Sequence, residues 1–60
     1  METSLFKKDG KVYTRFKVSL KNFWKWKPYL KAKYNIDMDN PSKKSSRYIY
    51  FEKEGDYLNG

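Results

Sequence analysis

Asp9-Gly10 is followed by a stretch, Lys11 to Leu20, in which Val12, Thr14, Phe16, Val18 and Leu20 alternate with mostly polar or charged residues. These two features together constrain the chain more than any other. A two-residue type I′ turn needs positive φ at both central positions, and Asp-Gly accommodates it. The reading is a β-hairpin with strands near residues 4–8 and 11–18. In the second strand Val12, Thr14, Phe16 and Val18 face a core, while Tyr13, Arg15 and Lys17 share the opposite face.

A third strand is expected over Arg47–Lys53, where aromatic and β-branched residues dominate. Ile49 and Phe51 fall on one face and Tyr48 and Tyr50 on the other; the first pair points inward. Glu54-Gly55-Asp56 then reads as a turn, after which Tyr57 and Leu58 tuck back. From Asp37 to Ser46 the composition shifts to Asp, Asn, Pro, Ser and Lys, which reads as a loop carrying a mobile basic cluster, Lys43-Lys44-Ser45-Ser46-Arg47.

The segment between these strands admits two readings. In one, Ser19 caps a helix over roughly 20–35 whose apolar arc contains Leu20, Phe23, Trp24, Leu30 and Tyr34, with Asn35 as its stop. Pro28 then kinks or divides it. In the other, strand continues through Phe23–Lys27 and a short helix begins with Pro28 at its first position. Either way the fold class is α+β: a single β-β-α-β domain over residues 1–60, with a three-stranded, mostly antiparallel sheet and one helix packed on one face.

Sixty residues bury a thin core, drawn here from Phe16, Phe23, Trp24, Ile49 and Phe51, and self-association into a homodimer is a common way for so short a chain to gain more. The absence of Cys and His removes disulfides, thiolate nucleophiles, imidazole bases and the usual zinc ligands. Asp37-Met38-Asp39-Asn40 opens like a calcium loop, but Pro41 and Ser42 occupy positions where that motif needs a further ligand and a glycine. No catalytic residues, metal ligands or cofactor are assigned, and an enzyme is not expected. No apolar run has the length of a signal peptide or membrane span, so the expectation is a cytoplasmic protein without a membrane partner.

Charge carries the functional reading. Fourteen Lys plus Arg against seven acids give a net charge of +7, which favours polyanionic partners. Twelve of those cations are Lys, suited to phosphate contact without base readout. Twelve aromatics accompany them and exceed what one small core hides. Aromatics interleaved with cations suit single-stranded nucleic acid, whose bases stack on rings while Lys and Arg neutralise the backbone. The candidate binding residues are Tyr13, Arg15, Lys17, Lys25, Trp26, Lys27, Lys43, Lys44, Arg47, Tyr48 and Tyr50.

The expected function is therefore a small, largely sequence-nonspecific binder of DNA or RNA. The alternative is a phage-type protein that binds and inhibits or redirects a host protein, its Trp and Tyr acting as hot spots and its Lys steering toward an acidic surface. Half the residues are Phe, Tyr, Met, Ile, Asn or Lys, whose codons are AT-rich, which suits a phage or low-GC bacterial source.

Overall fold

A computed structural model, described over residues 1–58, begins with the expected hairpin. Strand β1 (Glu2–Lys8) pairs antiparallel with β2 (Lys11–Ser19), with Lys8 opposite Lys11 and Leu5 opposite Thr14. Asp9 and Gly10 take φ of 53° and 79°, the signs a type I′ turn requires.

Ser19 then ends the strand. Its hydroxyl accepts the Lys21 N–H at 3.3 Å, capping a 3₁₀ turn (Leu20–Asn22) that leads into helix α1 (Phe23–Tyr34). Residues 20–27 are thus helical, and the strand alternative fails. The helix runs on through Pro28 without division. It stops at Asn35, which takes φ of 55°; the Asn35 N–H donates to the Lys31 carbonyl at 3.0 Å and the Ile36 N–H to that of Leu30 at 3.2 Å. The Asn35-to-Lys31 bond is that of an αL closure, in which Asn replaces the usual Gly as a residue that tolerates the left-handed region.

The helix places Phe23, Trp26, Leu30 and Tyr34 against the sheet, a spacing of three and four residues that follows one stripe. Trp24 lies about 100° round from Phe23 and is 76% exposed, so the assignment of Trp24 to the core is corrected: Trp26 takes that place. The buried set is Phe16, Val18, Leu30, Ile36, Met38, Ile49 and Phe51. Ile36 and Met38 come from the stretch read as a polar loop. Asp37 folds that stretch back, accepting the Asp39 N–H and the Asn40 side-chain amide at 3.0 Å each, and Met38 is inserted beneath it.

The sheet has four strands, not three. Lys43–Lys44 form a short edge strand, β3, antiparallel to β4 (Tyr48–Glu54), and the order across the sheet is β1-β2-β4-β3. Ser42 N–H donates to the Tyr50 carbonyl at 2.9 Å and Ser45 N–H to that of Tyr48 at 2.8 Å, so the basic cluster is pinned where a mobile loop was expected. The architecture is β-β-α-β-β: one antiparallel sheet, a helix on one face and an open second face.

Candidate nucleic-acid interface

Alternation assigns the open face directly. Phe16, Val18, Ile49 and Phe51 point to the helix, so Tyr13, Arg15 and Lys17 from β2, Tyr48 and Tyr50 from β4 and Lys43 from β3 all point away from it. Six of the eleven candidate residues thus gather on one surface. Lys44 points to the helix side, Arg47 sits at the β3–β4 loop tip, and Lys25, Trp26 and Lys27 belong to α1 on the other side of the sheet.

The face also contains residues the sequence reading passed over. Glu2 lies opposite Lys17, Phe6 opposite Tyr13, Glu52 opposite Arg15 and Glu54 opposite Tyr13. Arg15 donates from Nε and Nη2 to Glu52 Oε2 at 3.1 and 2.9 Å and lies 4.5 Å from the Phe6 ring centroid. Lys11 is 3.7 Å from Glu54, and Lys17 is 3.9 Å from Glu2. Phe6 and Tyr13 stack at 5.4 Å. Arg15 therefore already has both an anion and an aromatic plane, and any phosphate must compete with Glu52 for it. The signal was present in two places: the alternation of β4 continues through Glu52 and Glu54, and the Asp-Gly register carries Glu2 and Phe6 to these positions.

Toward the β3 side the balance changes. Lys17 Nζ lies 4.2 Å over the Tyr48 ring and Lys43 Nζ 5.8 Å from that of Tyr50. Lys43, Lys44, Arg47 and Lys21 form no ion pair among the described residues. Arg47 and Lys21 share the rim of a depression with Ser19, Leu20, Ser46 and Tyr48, fixed by the Leu20 N–H donating to the Arg47 carbonyl at 3.0 Å. This end of the sheet presents exposed or half-exposed tyrosines among uncompensated cations. The glutamates are spread over the face: Glu52 shares a depression with Arg15, Lys43 and Tyr50, Glu54 lies at the far end of β4 beside Tyr13, and Glu2 sits on β1 opposite Lys17.

On the helix side, Lys27 is spent on Asp39, with Nζ donating to Oδ1 at 3.4 Å, and Trp26 is half-buried. Lys33 donates to the Tyr29 hydroxyl at 2.9 Å, a bond that holds its ammonium above the ordinary lysine pKa. Trp24 stands at the rim of a groove of about 410 Å³ shared with Leu20, Phe23, Met38, Pro41 and Ile49. No three carboxylates gather as a metal site among the described residues, and no described helix is long and apolar enough to cross a membrane.

The fold and its surface define a small basic α+β domain with an open aromatic sheet face. No protein-family model, curated protein or solved structure matches the chain.

Proposed function

We propose that this domain binds nucleic acid, single-stranded by preference and with little sequence discrimination, at the β3–β4 end of its open sheet face. The observation that carries the reading is the meeting of Tyr48 and Tyr50 with Lys43, Arg47 and Lys21, cations that form no ion pair among the described residues. Bases stack on the tyrosines, at about 1–3 kcal/mol each where rings are free, while the cations replace counterions along the backbone. Lys17 covers one face of Tyr48, its ammonium 4.2 Å over the ring, and a base stacks on the other. Glu52 and Glu54 repel phosphates from the far half of β4, so the strand crosses the sheet at Tyr48, Tyr50 and Lys43 instead of running the length of β4.

The test is fluorescence anisotropy of labelled single-stranded DNA, single-stranded RNA and duplex DNA across a salt series. Three phosphates neutralised on a single strand give a log–log slope of roughly −2. Arg47→Glu or Lys43→Glu should weaken binding about tenfold or more, and Tyr48→Ala should do so with an unchanged salt slope. Binding untouched by all three would refute the proposed surface.

A second reading rests on Trp24. An indole 76% exposed beside an apolar groove, with Lys44 and Asp39 on its rim, suits docking of a protein partner whose acidic surface the Lys residues attract. Trp24 is on the other side of the sheet from Tyr50, so the readings separate cleanly. Trp24→Ala should leave nucleic-acid affinity unchanged and abolish capture of such a partner.

A further inference from the structure

Strand β1 occupies one edge of the sheet, supplies no residue to the core cluster and has no buried position. Its hydrogen-bonding phase is set by the hairpin. Residues flanking a two-residue turn exchange both backbone bonds, so Lys8 pairs with Lys11, and alternation makes Phe6–Tyr13, Ser4–Arg15 and Glu2–Lys17 the other bonded pairs. The Val12 carbonyl accepts from Gly55 N–H at 2.8 Å on the far side of β2, as this phase demands. The N–H and C=O of Thr3, Leu5 and Lys7 therefore point out of the sheet edge.

We propose that this edge pairs with the same edge of a second copy, antiparallel and centred on Leu5. In that register Leu5 faces Leu5 of the second copy, Thr3 faces Lys7, Ser4 faces Phe6 and Glu2 faces Lys8. All three residues with outward backbone groups meet residues with outward backbone groups, twice over by symmetry. Charge selects this register. Each Lys8, which forms no ion pair among the described residues, arrives beside a Glu2 whose side chain is 79% exposed. Sliding the copies by two residues either way leaves Glu2 or Lys8 without its opposite, and it also breaks the Leu5–Leu5 contact.

The side-chain environment agrees. Leu5 is 39% exposed on the helix side, beside a shallow depression of about 320 Å³ formed with Phe6, Lys7, Val12 and Asp56. Helix α1 does not extend its apolar stripe over β1, so a second Leu5 covers surface that the single chain leaves wet. The product is a continuous sheet twice the width of the first, with both open faces on one side. Lysines on an edge strand usually discourage pairing; here they reject wrong registers and admit one.

Sedimentation equilibrium of the full chain over a concentration series tests this. The expected result is a reversible species of twice the 7.3 kDa chain mass. Leu5→Pro deletes an N–H that only the second copy uses and leaves the β1–β2 pairs in place, and it should weaken association about a hundredfold. A charge exchange keeps the test informative if the proline variant fails to fold. Glu2→Lys alone and Lys8→Glu alone each juxtapose like charges at both ends of the interface and should weaken self-association about tenfold, whereas an equimolar mixture should restore it as a heterodimer. A single 7.3 kDa species at every concentration overturns the proposal. So does a dimer indifferent to the charge exchange.

Discussion

The side chain of Thr14 is fully buried and closes the domain by serving Tyr57: its hydroxyl accepts the Tyr57 N–H at 3.0 Å while donating to the Gly55 carbonyl at 2.8 Å. Position 14 is thus a polar residue in a row of core residues for a reason. It satisfies two backbone groups just beyond β4 and brings the Tyr57 ring onto Tyr34 at 5.7 Å.

Thr14→Val keeps the shape and removes both bonds, leaving a donor and an acceptor unpaired at the edge of the core. A loss of about 1–3 kcal/mol in urea unfolding is expected, with Thr14→Ser recovering most of it. The Tyr57 N–H should also lose protection from hydrogen exchange in Thr14→Val. An unchanged denaturation midpoint would mean that water replaces the hydroxyl freely.

Pro28 lies within α1, where it cannot bond the Trp24 carbonyl and its ring presses on that turn. Its side chain is exposed and contributes nothing to the buried set. Pro28→Ala should therefore stabilise the domain, by about 1–3 kcal/mol in the same unfolding experiment. A destabilised variant would show that the local backbone shape at Trp24 is needed for packing Trp26 and Leu30.

Glu52 restrains Arg15 on the open face. Glu52→Gln removes that carboxylate charge, and the proposed binder should gain about threefold in affinity for single-stranded DNA, with a salt slope steeper by about 0.7 as one more phosphate is engaged. Arg15→Glu should cost less than Arg47→Glu, because Arg15 begins with a partner. The reverse order would relocate the bound strand toward β1.

Lys33 titrates high because its ammonium donates to the Tyr29 hydroxyl, with the neighbouring Tyr34 adding to the shift. A folded-state pKa above the unfolded one stabilises the fold below the unfolded pKa, and that contribution disappears as pH rises through the folded value. The group is exposed, so the effect on stability is small and the titration itself is the readout. Tyr29→Phe should move the Lys33 side-chain pKa down toward its ordinary value in an NMR titration.

Sequence patterning exposed the parts of this fold governed by local rules. Asp9-Gly10, the two faces of β2 and β4, the Ser19 cap and the Asn35 stop all follow from turn geometry, period and capping, and all stand where they were expected. Trp24 and Trp26 were exchanged because both neighbour Phe23 closely in sequence, and only docking on the sheet decides which flank of the helix turns inward. Strand β3 was invisible, since Lys43-Lys44 carries no apolar signature and is held by backbone bonds to β4. Met38 was missed for the related reason that Asp37, Asp39 and Asn40 around it have the composition of a solvated loop. On the candidate surface, the shared face of Tyr13, Arg15, Lys17, Tyr48 and Tyr50 was legible from alternation alone. Its partial neutralisation was not drawn, because that requires pairing three strands at once.

Strand β4 lies between β2 and β3, although it is the last strand to be made. While the ribosome is still adding residues 48–54, Phe16 and Val18 have no Phe51 or Ile49 to pack on, and the Thr14 hydroxyl has neither Gly55 nor Tyr57. The first hairpin and the helix must wait as loosely held pieces, with Trp26 and Leu30 unsheltered. Folding of this chain is thus an event that follows synthesis of its central strand, and the interval before it is when chaperones and proteases have their access.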